Sequence, residues 1–518
     1  MKKTTKSLLL LLAANLIGLQ AVPAQYTTVK LITAKNVGEE ITFAVNHTYN
    51  GVNVNWGDGN IVVYDTGNEA IREITGTVKG NTITISGDED LFNTLICPDC
   101  ELTEIDLSEA RKLHSLYCQD NKLSEIDLRE MTELTDLDCS RNQISSIIYT
   151  SRIYPERDLL KIENINLADN LLSGSFAIRA ATLKNLDVSG NQITSVNTTS
   201  NTNLDQLKCS NNRISSVSVA TCDSISTLVC HDNNISKLAL PADVSALQQL
   251  ICDNNIIKSS IPLSNCTGLK DLSCSNNQIS QIEMPANVKC SSLNFSGNKL
   301  TLGVLPRTIY KPDYILFTPQ EAIDISSFNN VKVKDNVPYM DVVTWNERKT
   351  NPLDLSDYTQ IATSYGSSGT NGGTIKWYYL DENGQEQEMV LGTSSIKSND
   401  YYESAGKFTF FTEHTKAFAR IKATTGSYGN EDFYIETSMI AIGENSTVGI
   451  DNVINNTATI SVSPGKHSLT ISGINNKNIN VYSTDGTLVW NGTIGKGMVT
   501  IALPAGIYIV EGKKYSVQ

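Results

Sequence analysis

The sequence contains few of the residues that build catalytic and metal sites. Only five of its 518 residues are histidine, and none of them lies in an H-E-x-x-H or C-x-x-C…H-x-H spacing. A G-x-S-x-G elbow, a phosphate-binding loop and a dinucleotide fingerprint are also missing. We therefore predict that the protein is not an enzyme and that it has no catalytic residues, no cofactor and no metal site.

Excess positive charge and long apolar runs are also missing beyond the N-terminus. Lys2, Lys3 and Lys6 precede an apolar run from Leu8 to Ile17, and residues 1–24 are typical of a secretory signal peptide. The net charge is −14, or −17 once those three lysines are removed, so a nucleic-acid partner is not expected. No later apolar run reaches the roughly 18 residues of a transmembrane segment. We predict an exported protein, extracellular or on the outer cell surface.

A repeat of the form Φ-x-x-L-x-C-x-x-N-x-I/L fills the middle of the chain. Its central residues are 21 or 22 positions apart, with one step of 28 that indicates an insertion. The Leu-x-Cys alternation predicts a short strand with one buried face, and about ten such units predict a solenoid of stacked coils. The central residues are Leu95, Leu116, Leu137, Ile165, Leu186, Leu207, Leu228, Leu250, Leu272 and Leu293.

Cysteine and asparagine occupy fixed slots of this repeat. The cysteine slot also accepts Leu167, Val188 and Phe295, which indicates reduced thiols packed in a core. An asparagine three residues later is expected to bond turning backbone, and stacked coils would align these side chains in a column. The segment Cys97–Cys100 has the C-x-x-C spacing of redox motifs; packing is the preferred interpretation, and a local disulfide is an alternative. The slot's cysteines are Cys97, Cys118, Cys139, Cys209, Cys230, Cys252 and Cys274.

This unit resembles the bacterial leucine-rich repeat, L-x-x-L-x-L-x-x-N-x-L. In detail it is similar to the cysteine-ladder repeats of internalins and of surface proteins from the Bacteroidetes. The resemblance covers about residues 91–310. It implies a parallel sheet on the concave side of the solenoid and a role in binding protein or cell-surface partners.

The flanking segments predict a mainly β protein. Residues 25–90 contain strand-like runs, and the turn at Asn55–Gly59 resembles that of PKD-type modules, so an N-terminal β domain is expected to cap a solenoid at 91–320. Residues 321–445 resemble an Ig-like sandwich, with a hairpin around Asn383-Gly384 and Trp377 in its core.

The last segment, residues 446–518, resembles the C-terminal sorting domain of the type IX secretion system. The match is carried by Asp485-Gly486 and by Gly506, Ile507 and Tyr508. The chain departs from that pattern by ending in "YSVQ" rather than in a basic residue. An ordinary Ig-like terminal domain is the alternative.

The strand positions beside each central residue define a candidate binding face. One acidic area on it contains Asp136, Asp138 and Asp187, and Tyr117 lies towards one end. Further along, Val229 and Ile251 form an apolar pair beside His231 and Lys208. We predict an adhesin-like protein that binds a basic protein partner, from a host or a cell surface, through this face. The alternatives are a structural matrix spacer and a glycan-binding surface protein.

Overall fold

The computed structural model describes residues 26–46, 51–65, 71–88, 93–149, 161–258, 260–285, 287–304, 310, 312–359, 374–393, 399–422, 434–444, 461–465, 468–472, 478–483, 488–493, 498–503, 506–510 and 513–517. The predicted signal peptide and residues 150–160, within the predicted insertion, lie outside these ranges. Strands dominate the described residues, and the helices there are short 3-10 turns, Leu302–Val304, Trp345–Glu347 and Ser356–Thr359. The predicted mainly β fold is confirmed.

The chain forms two compact units. The first contains Met1–Glu321, Gln360–Gly373 and Lys422–Ile435. The second contains Ala322–Thr359, Thr374–Ile421 and Glu436–Gln518.

Six strands of the first unit precede the repeats. Strands β4, β3, β6 and β1 pair in that order, and β2 pairs with β5, all antiparallel. Trp56 packs in this region: its ring lies 5.7 Å from that of Phe43, and its Nε1 donates to the Tyr64 hydroxyl at 3.1 Å. Gly76 lacks a side chain because a Cβ there would come within 2.2 Å of the Trp56 ring. The strands are β1 (Tyr26–Thr33), β2 (Glu40–Asn46), β3 (Val52–Asn55), β4 (Ile61–Tyr64), β5 (Ile71–Thr77) and β6 (Thr82–Asp88).

Each repeat contributes one three-residue strand to a continuous parallel sheet, which we call the long sheet. Every predicted central residue is the middle of its strand and lies opposite the central residue of the next strand. The predicted parallel solenoid is therefore confirmed. The strands are β7 (Thr94–Ile96), β9 (Ser115–Tyr117), β11 (Asp136–Asp138), β13 (Asn164–Asn166), β15 (Asn185–Asp187), β17 (Gln206–Lys208), β19 (Thr227–Val229), β21 (Gln249–Ile251), β23 (Asp271–Ser273), β25 (Ser292–Asn294) and β26 (Tyr314–Leu316).

The last of these strands adds an eleventh coil that the repeat count did not predict. β26 pairs in parallel with β25 and places Ile315 opposite Leu293. Gln320 takes the asparagine slot: its Nε2 donates to the Phe295 carbonyl at 2.9 Å, and its Oε1 accepts from the Leu300 N–H at 2.9 Å. The longer amide thus makes the bonds that asparagine makes in the other coils.

A second strand lies on the far side of most coils. These strands pair as β10–β12, β14–β16–β18–β20 and β22–β24, so this second sheet is interrupted where the long sheet is continuous. The first coil is covered by preceding strands, because β2 pairs antiparallel with β7 and β1 with β8. The strands are β8 (Leu102–Asp106), β10 (Glu125–Asp127), β12 (Ser146–Ile148), β14 (Ser173–Ala177), β16 (Gln192–Asn197), β18 (Ser216–Ser218), β20 (Lys237–Ala239), β22 (Ile261–Pro262) and β24 (Ile282–Glu283).

The asparagine column joins successive coils through buried hydrogen bonds, as predicted. The Asn233 Nδ2 donates to the carbonyls of Cys209, Cys230 and His231 at 3.0, 3.2 and 3.1 Å. Its Oδ1 accepts from the Ile214 N–H at 2.9 Å. One side chain thus satisfies backbone groups of two coils that no strand pairing reaches. Equivalent bonds are made by Asn121, Asn142, Asn170, Asn191, Asn212, Asn255, Asn277 and Asn298.

The residue before each of these slots has a left-handed backbone conformation. Its φ lies between 51° and 68° in the first ten coils. Asparagine, aspartate and glycine tolerate this region best, which explains the repeated D-N and N-N pairs in the sequence. Arg141 is the exception, and its guanidinium is held by Asp120 at 2.5 and 2.7 Å. The residues are Asp99, Asp120, Arg141, Asp169, Gly190, Asn211, Asp232, Asn254, Asn276 and Gly297.

In the second unit, two sheets enclose a core around Trp377. One sheet has the order β27-β28-β36-β34-β30-β31 and the other β29-β33-β32. The buried Trp377 ring lies 4.7 Å from Phe410 and 6.0 Å from Phe408. The predicted hairpin is present, because β30 and β31 pair antiparallel around residues 381–385. The strands are β27 (Lys332–Lys334), β28 (Val337–Met340), β29 (Leu353–Asp354), β30 (Thr374–Leu380), β31 (Glu386–Glu388), β32 (Tyr401–Ser404), β33 (Lys407–Phe410), β34 (His414–Lys422), β35 (Tyr434–Glu436) and β36 (Ile440–Ile442).

Seven further strands lie at the end of the chain. They form the sheets β37-β38-β41 and β40-β39-β42-β43, and their shared core includes Leu469, Ile471, Val481 and Val510. Of the residues that carry the sorting-domain resemblance, Gly506, Ile507 and Tyr508 belong to β42, whereas Asp485-Gly486 lies outside the described residues. The strands are β37 (Ser461–Gly465), β38 (Ser468–Ser472), β39 (Asn478–Ser483), β40 (Leu488–Thr493), β41 (Met498–Ala502), β42 (Gly506–Val510) and β43 (Lys513–Val517).

Candidate interaction face

Two columns of side chains flank the buried central residues of the long sheet, and we call them together the long-sheet face. This is the face that the resemblance predicts to be concave. Strand register aligns the predicted residues in these columns. The column after the central residue is Ile96, Tyr117, Asp138, Asn166, Asp187, Lys208, Val229, Ile251, Ser273, Asn294 and Leu316. The column before it is Thr94, Ser115, Asp136, Asn164, Asn185, Gln206, Thr227, Gln249, Asp271, Ser292 and Tyr314.

A depression of about 300 Å³ on the long-sheet face brings five of the predicted residues together. Its walls include Tyr117, Asp136, Asp138, Asp187 and Lys208, which lie on strands β9, β11, β15 and β17. The regular register of the parallel strands is what assembles residues so distant in sequence. The other three predicted residues do not line this depression.

Two of its carboxylates are oriented by neighbouring polar groups. The Asn164 Nδ2 donates to the Asp136 Oδ1 at 2.6 Å. The Asp138 Oδ1 accepts from the Ser140 N–H and hydroxyl at 2.9 and 2.7 Å, and its Oδ2 accepts from the Asn166 Nδ2 at 2.9 Å. Both carboxylates are thus held by uncharged donors, and the Arg141 guanidinium, which pairs with Asp120, also interacts electrostatically with Asp138.

The third carboxylate lies beside the single ammonium of the depression. Asp187 Oδ1 accepts from the Ser189 N–H at 3.0 Å, and its Oδ2 lies 4.0 Å from the Lys208 Nζ. An ion pair at that distance and partly exposed to water is weak. Three carboxylates against one ammonium leave the depression negatively charged.

The amides of the depression add a further acceptor. The Asn185 Nδ2 donates to the Asn164 Oδ1 at 2.6 Å, which continues the row that ends on Asp136. The Asn185 Oδ1 is buried and has no hydrogen-bond partner in the structure. The unpaired Asn185 oxygen and the Asp136 carboxylate favour a ligand that brings N–H groups.

Val229 and Ile251 form the predicted apolar pair. They lie opposite each other on β19 and β21, and both are partly buried. Six strand spacings separate Tyr117 from Ile251, or about 29 Å. The pair is therefore a second area of the long-sheet face, separate from the acidic depression.

His231 contacts the turn that follows its strand. Its Nδ1 lies 2.7 Å from the Asp232 Oδ2, and the Asp232 Oδ1 accepts from the Asn254 Nδ2 at 2.9 Å. The imidazole is thus engaged with the left-handed turn residues, and it follows Val229 by two positions on the edge of the face.

The eleventh coil adds two residues that the sequence analysis missed. Tyr314 and Leu316 flank Ile315 on β26, and the Tyr314 side chain is 54% exposed. The signal for them was the order Ile315-x-Phe317-x-x-Gln320, in which phenylalanine and glutamine replace the usual cysteine and asparagine.

The cysteines form a packed, unoxidised ladder. All eleven cysteines of the chain are free and buried. Desolvation by burial raises the pKa of the Cys97 thiol well above its ordinary range and that of Cys100 to about 12. The Cys100 Sγ donates to the Thr42 carbonyl oxygen at 3.1 Å rather than bonding to the Cys97 sulfur. Thiol–disulfide exchange requires the thiolate, so this C-x-x-C segment is unsuited to redox chemistry.

Clusters of three or more metal-binding side chains are absent from the described residues. In the same part of the chain, no helix has the length and apolar character needed to cross a bilayer.

The solenoid has the strand register, asparagine column and buried central leucines of a leucine-rich repeat fold. Residues 111–151 match the family model of Leucine Rich repeats in two copies. No curated protein matches the sequence significantly.

Several solved structures are similar to parts of the chain. The functional domain of InlJ from Listeria monocytogenes, which includes a cysteine ladder, shares 16% identity with a TM-score of 0.29; the match covers 71% of this chain and 93% of that one. YopM from Yersinia pestis shares 20% identity with a TM-score of 0.33 over 41% of this chain and 57% of its own. The LRIM1/APL1C complex shares 20% identity with a TM-score of 0.30, and the match covers 38% of this chain and 42% of that one. The matches thus span little more than half of the YopM chain and less than half of the LRIM1/APL1C chain. Because these scores are below 0.5, the fold assignment rests on the strand register and the repeat.

Proposed function

We propose that this chain is an exported, non-enzymatic, adhesin-like protein that binds a protein partner through the long-sheet face. The observation that carries the proposal is the acidic depression, which gathers Tyr117, Asp136, Asp138, Asp187 and Lys208 on rigid parallel strands. Its excess of carboxylate and amide acceptors suits a partner segment that carries lysine or arginine side chains. A planar guanidinium can bond a carboxylate and stack on the Tyr117 ring.

The apolar pair supplies a second anchor in this proposal. Binding energy in protein interfaces concentrates in a few apolar, aromatic or arginine contacts, and Val229 with Ile251 is such a contact area. With roughly 29 Å between Tyr117 and Ile251, a partner that engages both areas must be extended along the sheet. Solenoids commonly bind extended partners through such surfaces.

The glycan alternative has one observation in its favour, the exposed Tyr314 on β26. Sugar sites usually stack a ring on aromatic side chains. Tyr117 and Tyr314 are nine strand spacings apart, about 43 Å, so they do not form one platform. The spacer alternative requires no ligand, and it therefore does not account for the charged depression.

Delivery to the outer cell surface is part of the proposal. It rests on the predicted signal peptide at 1–24 and on the resemblance of 446–518 to a type IX sorting domain. We propose the division 25–90, 91–320, 321–445 and 446–518 as the N-terminal cap, the solenoid, the Ig-like sandwich and the terminal domain.

The long-sheet face is tested by paired substitutions. The mature protein, residues 25–518, is screened on arrays of purified surface proteins and of glycans, and the affinity of each ligand found is measured. We expect Asp136→Lys with Asp138→Lys, and separately Val229→Ser with Ile251→Ser, to weaken a protein ligand at least tenfold. The expected tenfold loss corresponds to about 1.4 kcal/mol. Because the aspartates accept hydrogen bonds from Asn164 and Asn166, the neutral pair Asp136→Asn with Asp138→Asn checks that charge, rather than local structure, causes the loss.

A matched control reverses two charges elsewhere on the solenoid. Glu104 and Glu125 are exposed on β8 and β10, and Glu104→Lys with Glu125→Lys should leave the affinity unchanged. Equal binding by all variants would exclude the long-sheet face as the site. Ligands found only on the glycan array would support the alternative function.

A further inference from the structure

Strand β4 is an exposed apolar strand at the edge of its sheet. Its exposed side chains include Ile61 at 67%, Val62 at 39% and Val63 at 63%. β3 pairs with one side of it, and β4 is the last strand of the order β4-β3-β6-β1-β8. Among the described strands, none pairs with the other backbone edge of β4.

Edge strands of soluble proteins are usually protected from pairing by charges, proline or bulges. Two other edges in this chain follow that rule: β5 carries Arg72 and Glu73, and β31 carries Glu386 and Glu388. The β4 sequence Ile-Val-Val-Tyr contains no charge and no proline. An unprotected apolar edge is the form that strand-addition sites take.

We propose that β4 is a self-association edge, at which two copies of this chain pair antiparallel about a two-fold axis. In an antiparallel pair related by such an axis, one residue faces its own copy. With Val63 on the axis, Val62 faces Tyr64 and Ile61 faces Asp65. With Val62 on the axis, Ile61 faces Val63 and Tyr64 faces Asn60. In both registers no like charges are opposed, and apolar side chains of one copy cover those of the other.

A second copy is the occupant that this edge fits best. An isologous contact needs a self-complementary surface, and the short uncharged β4 meets that condition in both registers. Four residues at an edge bury much less than the roughly 1,000 Å² of a stable interface. We therefore expect a weak dimer that forms only at high protein concentration. This contact is independent of the proposed function, because β4 does not belong to the long sheet.

The chain is well suited to a cysteine test because all eleven native cysteines are buried. Val62→Cys and Val63→Cys each place one exposed thiol on β4. Val37→Cys is the matched control, since Val37 is 72% exposed in the turn between β1 and β2. At about 100 µM mature protein with diamide as oxidant, we expect a covalent dimer to form at least tenfold faster at position 62 or 63 than at position 37. The faster of the two positions identifies the residue on the axis.

Sedimentation equilibrium measures the same contact without a cross-link. The native mature protein should show dimers in a concentration series up to about 500 µM, and Val63→Lys should be monomeric over that series. Val37→Lys, with the same change of charge, should behave as the native protein does. Three outcomes would each overturn the proposal: a native protein that stays monomeric, a Val63→Lys variant that still dimerises, or equal cross-linking at positions 37, 62 and 63. If the native protein is monomeric, the partner to search for is an extended strand of another protein.

Discussion

Replacing Asn233 by alanine should destabilise the solenoid by about 3–5 kcal/mol. The substitution removes the hydrogen-bond partner of the Ile214 N–H and one of the two amide donors of each of the Cys209 and Cys230 carbonyls. The other donors to these carbonyls, from Asn212 and Asn255, remain. The buried Ile214 N–H costs about 1–3 kcal/mol when it is left without a hydrogen bond, and each bond lost to a carbonyl costs about 0.5–1.5 kcal/mol. The loss is measured as a lower urea midpoint in far-UV circular dichroism of the mature protein.

The adjacent asparagine provides the control for this substitution. Asn234 is the next residue and its side chain is exposed, so Asn234→Ala should change the free energy of unfolding by no more than about 0.5 kcal/mol. The two variants have the same composition and differ in which amide is removed. Similar midpoints for both would mean that the asparagine column does not join the coils.

The repeat determines the fold to the level of single residues. A period of 21 or 22 fixes which coil follows which, and the Leu-x-Cys alternation fixes which side chain is buried. The strand register then follows, and with it the neighbours of Asp138 and Val229 across the long sheet. The asparagine bonds were also predictable, because the amide repeats at the place where the chain must turn.

The repeat pattern does not predict the eleventh coil. Ile315, Phe317 and Gln320 occupy the Leu, Cys and Asn slots with side chains of a different size, and Pro312 stands where most coils have an aliphatic residue. Packing at the last coil accepts these changes since Gln320 still reaches the same backbone groups. A search for identical residues therefore stops one coil early and misses Tyr314.

The depression and the edge strand depend on information that a repeat pattern does not contain. The depression arises from side chains of five neighbouring strands and from the orientation of the Asn185 amide. The sequence predicts strands in residues 25–90, but strand order decides that β4 lies at an edge while β1 lies inside its sheet. Burial of these apolar residues is set by the neighbours, which are distant in sequence.

A steep loss of stability above pH 9 is the largest effect that we expect. The folded-state pKa of ten of the eleven thiols is raised from an ordinary value near 9. The main cause is burial, except for Cys118, where a hydrogen bond with the Cys139 thiol comes first and burial second. The ten thiols are those of Cys97, Cys100, Cys118, Cys209, Cys222, Cys230, Cys252, Cys266, Cys274 and Cys290. Below pH 9 a thiol is protonated in both states and stability is fully present. Above it the unfolded chain loses protons that the folded chain retains, so the free energy of unfolding falls until the folded pKa is reached, about 11 for Cys266 and about 12 for Cys209.

The magnitude follows from the number of thiols that act together. Each contributes a slope of about 1.4 kcal/mol per pH unit once its unfolded form is ionised. Together they give a loss of up to about 10 kcal/mol between pH 9 and pH 10, comparable with the whole stability of a typical domain. Urea unfolding at pH 8.0–10.5 under reducing conditions should show the solenoid unfolding near pH 10. Tyrosine and lysine also titrate at alkaline pH, so the double substitution Cys230→Val with Cys252→Val is used to measure the contribution of the thiols alone. Valine fits this slot, because Val188 already fills it in another coil. This variant should reduce the slope by about 2.8 kcal/mol per pH unit, and a slope equal to that of the native protein would show that groups other than the ladder cause the alkaline unfolding.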